Sequence, residues 1–217
     1  PIWMDQFTDE EISAAVCEAG SRKTYVMAHA HTSEAAVRCA RLGVRSIEHG
    51  TMIDGSAARI IAELEAYVVP TLTVMDSILE GAVEIPPYAA AKLESLRETA
   101  VRAVENCMAA GVKLGLGTDL FGALHGREQM ELIARAKVSG SLESLRSATS
   151  INAEILGRKG EIGVIRKGAR ADLIVIAGDP VRDIELFRDP ERNVVLVMKA
   201  GAIIKNRLPV ARRPVHE

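Results

Sequence analysis

Residues 24–54 read TYVMAHAHTSEAAVRCARLGVRSIEHGTMID, and the alternation of two textures within that stretch decides the fold. Thr24–His29 (TYVMAH) is short and apolar and predicts a strand. Ser33–Leu42 predicts a helix, which Gly43 stops. Val44–His49 (VRSIEH) predicts the next strand. Strand, helix and strand joined by so few residues make a parallel βα unit.

The same grammar extends outward. Upstream, Thr8 followed by Glu11 fits a capping box, and Gly20 suits the residue just past that helix. Downstream, Gly55–Ala66 predicts a helix and Tyr67–Val74 (YVVPTLTV) a strand. Pro87 can start a long helix to Ala110, closed by Gly111, and Val112–Thr118 (VKLGLGT) predicts a fourth strand. Two helical stretches follow, about Arg127–Val138 and Ser141–Leu156. Beyond Gly157, the segments Ile162–Ile165, Ala171–Ile176, Val194–Lys199 and Ala202–Lys205 predict short strands between Gly, Asp and Pro turns. The expected organisation is an α/β unit over 1–157 and a β-rich unit over 158–217. Four parallel βα units do not close an eight-stranded barrel of about 250 residues. Two architectures remain: an open doubly wound sheet, or one half of a barrel.

Composition narrows the function. The chain has 217 residues, 48% hydrophobic and 26% charged, enough to bury a core without disulfides. A net charge of −2 argues against a nucleic acid or an anionic membrane bound by bulk electrostatics, and 3% aromatics disfavours a base-stacking platform. No apolar run approaches the roughly 20 residues that span a bilayer. Cys17, Cys39 and Cys107 are scattered and form no CxxC pair, which predicts reduced thiols and a cytoplasmic setting. The first residue is Pro1, and the expectation is a chain that begins inside a longer one.

The chemistry gathers at strand ends. His29 (VMAHAH), His49 (SIEHG) and Asp119 (LGLGTD) each close a predicted strand, and the C-terminal ends of parallel strands form the active face of α/β folds. A lone strand-end His is more often a hydrogen-bonded structural residue, and Asp119 alone could cap the next segment; the ordered set carries more. Two imidazoles and a carboxylate suit Zn²⁺ and leave room for water. His31 shares a face with His29 by period-two alternation. His125 lies in a Gly-containing loop, solvated by default, and His216 is one residue from the terminus. The run GLGTDLFG fails the dinucleotide pattern because Leu120 stands where glycine is needed, and no phosphate-loop Lys follows.

These motifs, taken with VVPTLTV and the tail EIGVIRKGARADLIVIAGDP…VVLVMKAGAIIKN, resemble the metal-dependent amidohydrolase superfamily. The resemblance is nearest to its prolidase-like, imidazolonepropionase-related members, among them Xaa-Pro dipeptidases and Arg/Lys carboxypeptidases. It covers nearly the whole chain. It implies the second half of a (β/α)8 TIM barrel, strands five to eight, followed by part of a C-terminal β-sandwich. It implies His29 and His49 as ligands of one metal, and Asp119 as ligand of a second metal and general base. His31 would face the substrate, and His125 is a weaker substrate contact. Two divalent cations, zinc by expectation, would activate water to cleave an amide bond of a dipeptide or N-acyl amino acid. A cyclic amidohydrolase is the alternative within the family. Relatives are often multimeric, so a homo-oligomer is expected. The strand-one HxH and the strand-four bridging lysine of the pattern are absent from this chain, and neither Lys23 nor Lys113 matches that lysine by motif. The missing N-terminal half of the barrel is thus an expected partner of this one. A non-catalytic fragment or assembly module is the reading from a different class.

Overall fold

A computed structural model describes residues 5–208 of the chain. Pro1 and His216 lie outside the described residues. Thr8 caps helix α1 (Asp9–Ser21) through the reciprocal box with Glu11. The helix runs through Gly20, which corrects its reading as the terminator; Arg22 caps the end and Lys23 takes the left-handed conformation that turns the chain.

Strand β1 (Met27–Thr32), β2 (Ser46–Met52) and β3 (Tyr67–Val69) form a parallel sheet in sequence order. Helix α2 (Ser33–Arg41) links the first two strands and α3 (Gly55–Glu63) the next two. Thr32 caps α2 and Asp54 caps α3, while the Ser33 hydroxyl joins both turns: it accepts from the Asp54 N–H and lies 3.0 Å from both the Met52 carbonyl and an Asp54 carboxylate oxygen, sharing its one proton between them. The long helix α5 (Pro87–Ala110) begins on Pro87 and ends on left-handed Gly111, as its sequence predicts. Small residues let these helices lie close to the strands: Ala36, Ala57, Ala58, Ala100 and Ala103 are buried with Ile47, Ile61 and Val68 in one core. Each fully buried isoleucine contributes roughly 1.5–3 kcal/mol.

Three predicted strands are shorter than expected. The Tyr67–Val74 segment leaves the sheet after Val69, because Pro70 has no N–H to give, and Thr73–Ser77 coils into a short helix, α4. The Val112–Thr118 segment joins the sheet at one bridge, Val68 to Leu114. Gly115 and Gly117 offer no side chains to a ladder, and their sites are tight: a Cβ on Gly117 would sit 2.8 Å from Val69. Ile162–Ile165 is a turn with one bridge, Lys159 to Ile162.

Helices α6 (Met130–Ser139) and α7 (Ser141–Arg146) follow, and α7 passes through a π turn at Ser147–Ile151 into α8 (Asn152–Ile155). A second sheet is antiparallel: β4 (Leu173–Ile176), β5 (Val194–Lys199) and β6 (Ala202–Asn206), in that order. It matches the last three of the four strands predicted for the tail within two residues at each end. Ile184 and Phe187 pack with Ile133 of α6 into a small second core.

The N-terminal ends of the parallel strands are tied by charge. The Arg45 guanidinium lies 5.1 Å from the Tyr25 ring centre and 5.7 Å from that of Tyr67, and donates to the Glu154 carbonyl. The Glu154 carboxylate takes Lys113 at 2.6 Å and Lys159 at 2.7 Å. Those two lysines hold its pKa down to about 2.

Candidate metal centre

Three imidazoles meet further along the same strands. β1 continues past His29 and His31 to Thr32 and β2 past His49 to Met52. His29 and His49 thus stand inside their strands rather than closing them, which corrects their reading as strand ends. The His29 and His31 ring centres are 4.5 Å apart, His29 and His49 are also 4.5 Å apart, and His31 and His49 are 5.1 Å apart. Alternation along β1 sends His29 and His31 to one face while Ala30 enters the core on the other. His49 arrives from β2, where the pairing slips between Ala30 and Thr32.

Backbone strain marks the site. Five described residues other than glycine have positive φ: Lys23, His49, Glu65, Ala200 and Asp119. Lys23 and Glu65 turn the chain from a helix into a strand, and Ala200 sits in the β5–β6 hairpin. The other two are His49 (φ 72°) and Asp119 (φ 53°), the expected ligands. Such dihedrals persist where surrounding structure enforces them, and they concentrate at functional sites.

The rings are oriented by hydroxyls from the next segment along. His31 Nδ1 shares a 2.9 Å hydrogen bond with Thr51 Oγ1, and His49 Nδ1 shares one of 2.8 Å with Thr71 Oγ1. The bond on Nδ1 leaves Nε2 of each ring available to the cluster. Burial, then the nearby His29 and His49 rings, pushes the His31 pKa down to about 4, against the opposing pull of Asp119. Burial and His29 lower that of His49 in the same way, again opposed by Asp119. The Asp119 charge therefore acts on both rings. Both stay neutral at pH 7, the form a cation can bind.

Those shifts have a consequence for folding. The unfolded chain protonates His31 near 6.5 and the folded one near 4, so the metal-free protein loses stability as pH falls through that window. Below about 4 both states hold the proton and the loss levels off. His31→Gln is expected to flatten this part of the urea-midpoint profile; an unchanged slope would contradict the burial of that ring.

The run that leads to Asp119 bonds to the Val68 backbone on one side and to side chains beyond it. The Asn152 amide accepts from the Leu116 N–H at 3.1 Å and donates to the Leu116 carbonyl at 2.9 Å, standing in for a neighbouring strand. Arg135 donates to the Gly115 carbonyl at 3.1 Å. His125 stands apart: its ring is exposed and hydrogen-bonded to Glu128 at 3.1 Å. Arg127 pairs with Glu80 at 2.9 Å. Thr51, Thr71 and Asn152 escape the sequence reading, because nothing local marks partners that lie 20 to 36 residues away.

The donor chemistry fits a borderline divalent cation: neutral imidazoles with free Nε2 atoms, and a carboxylate within electrostatic reach. Among the described residues, no three His, Cys, Asp or Glu side chains already enclose a coordination point. No described helix is long and apolar enough to cross a membrane.

Solved structures share this architecture. A prolidase complexed with N-methylphosphonate-L-proline is 42% identical, with a TM-score of 0.90 over 95% of this chain and 51% of its own. A Xaa-Pro dipeptidase with bound methionine is 30% identical, with a TM-score of 0.82 over 93% of this chain and 50% of its own. Ochratoxinase of Aspergillus niger is 30% identical over 207 residues, which are 92% of this chain and 42% of that protein. The chain thus spans about half the length of these relatives or somewhat less. The model of the amidohydrolase family matches residues 1–204, a span that takes in His29, His31, His49 and Asp119, and the chain belongs to that family.

Proposed function

We propose that this chain supplies half of the active site of a metal-dependent hydrolase that cleaves the amide bond of a dipeptide or N-acyl amino acid. The observation that carries the reading is the trio of His29, His31 and His49, whose ring centres are brought within 4.5 to 5.1 Å of one another by two adjacent parallel strands. In this reading residues 1–157 are the second half of a (β/α)8 barrel, and residues 158–217 belong to a β-sandwich. Homo-oligomerisation and a cytoplasmic setting go with it as expectations from family resemblance and thiol content.

His29 and His49 would hold one divalent cation, zinc by its donor preference, and Asp119 would reach toward a second. A bound cation supplies polarisation of the scissile carbonyl and acidifies water. The remaining work belongs to the chain. Asp119 takes a proton from the attacking water and delivers it to the leaving amine. His31, neutral and fixed by Thr51, faces the substrate carbonyl or carboxylate. His125 contributes only through movement of its loop, since its ring now pairs with Glu128. The prolidase and Xaa-Pro dipeptidase relatives favour a proline-containing dipeptide over an N-acyl amino acid.

Chelation tests the reading on the full-length protein. Dialysis against a chelator is expected to abolish release of amino acid from Xaa-Pro dipeptides or N-acyl amino acids, and added Zn²⁺ to restore it. Full turnover after metal removal would overturn the proposal.

A further inference from the structure

Two charged side chains are buried outside the site, and the proposed chemistry uses neither. Glu131 and Arg135 lie one turn apart on α6, 0% and 1% exposed. A pair at i and i+4 usually lies on a solvated helix face. Removing a carboxylate from water is costly unless several donors replace the lost solvation. Here the donors are backbone. The Leu72 N–H reaches both Glu131 oxygens, at 3.1 and 3.0 Å, and the Thr73 N–H donates to Oε2 at 2.7 Å. These amides open α4, so Glu131 fastens the segment that leaves β3.

The residue before that clamp is Thr71, buried, with its hydroxyl on His49 Nδ1. The same segment backs the run toward Asp119, because a Cβ on Gly117 would lie 3.6 Å from the Thr71 methyl. From the other side Arg135 holds the Gly115 carbonyl. One helix therefore fixes both the Thr71 turn and the strand that leads to Asp119.

We propose that Glu131 is a positioning residue for His49: by clamping the Leu72 and Thr73 amides it sets Thr71, whose hydroxyl in turn fixes the direction of the His49 ring. This rests on His49 being a metal ligand, and it adds a residue that touches neither the ring nor the cation. Partners one step behind a ligand typically govern about 10- to 100-fold of metal affinity. Glutamine at 131 keeps the size but turns an NH₂ toward backbone N–H groups, so at least one bond is lost.

The test is a double-mutant cycle in the full-length protein, read as Co²⁺ affinity by competition with a chromogenic chelator and as the visible spectrum of bound Co²⁺. Glu131→Gln and Thr71→Val are each expected to weaken Co²⁺ binding about 10-fold and to alter the spectrum similarly. The double variant is expected to be no weaker than the weaker single one, since both break the same linkage. Effects that multiply, or a Glu131→Gln protein with wild-type affinity and spectrum, would overturn the inference. Should Glu131→Gln not fold, Glu131→Asp keeps the charge and shortens the arm. It is then expected to weaken binding beside Thr71 and to change nothing in the Thr71→Val background; any other pattern counts against the inference. His49→Asn separates the two levels. If it binds Co²⁺ like wild type, the metal reading itself fails; if it loses Co²⁺ while Glu131→Gln does not, only the role of Glu131 fails.

Discussion

His49→Asn in the full-length protein is expected to empty the cation site proposed on His29 and His49, and to lower kcat/KM for the proposed amide hydrolysis by about 10³-fold or more. The magnitude follows from rank. Losing a partner of a ligand costs about 10- to 100-fold, and losing the ligand itself must cost more. Asparagine is the informative replacement because His49 sits at φ 72°. Asn tolerates that region, whereas alanine would add backbone strain to the loss of the imidazole. Metal content, turnover and the urea midpoint of the metal-free proteins measured together separate the effects: metal and activity fall while that midpoint holds. A variant that keeps its full metal content and rate would remove His49 from the site.

The second large effect is on folding and falls on the neighbouring residue. Gly50 also has positive φ (56°), and a Cβ there would stand 2.6 Å from the tip of Ile53 and 2.9 Å from Val68. Both side chains are buried at 1% exposure, so a shift of either must be taken up by the packed core around it. Gly50→Ala therefore combines about 1–2 kcal/mol of left-handed strain with about 1–3 kcal/mol of overpacking, a loss of about 2–5 kcal/mol by chemical denaturation. Gly168 is the control: its φ is 86° and the space beside it is open, so alanine there meets only the dihedral cost. Equal losses at the two positions would show that the packing around Gly50 yields.

How much of this was legible in the sequence depends on whether the cause is local. The capping box at Thr8, the helix from Pro87 to Gly111 and the strand Val194–Lys199 are written in neighbouring residues, and they stand where the reading puts them. The gathering of His29, His31 and His49 follows from period two and from parallel strands in sequence order. The segment Val112–Thr118 reads as a strand and barely forms one, because its second edge is bonded by the Asn152 amide rather than by backbone. Tyr67–Val74 reads as one strand and breaks at Pro70, which has no N–H for a ladder, and the amides that follow at Leu72 and Thr73 turn to Glu131 instead. Glu131 and Arg135 themselves carry the spacing of an exposed ion pair and are among the most buried side chains of the protein. In each case the bonding partner lies tens of residues away.

The Arg45–Tyr25–Tyr67 stack, with Glu154 between its two lysines, fastens the strands at the end remote from the histidines. Such an arrangement decouples evolvability from foldedness: loops at the reactive end can be exchanged or lengthened without loosening the anchor. A scaffold of this kind lets selection vary the opposite end while the foundation stays intact, and it makes the mostly exposed loop after Asp119 the place to begin redesigning the proposed substrate choice.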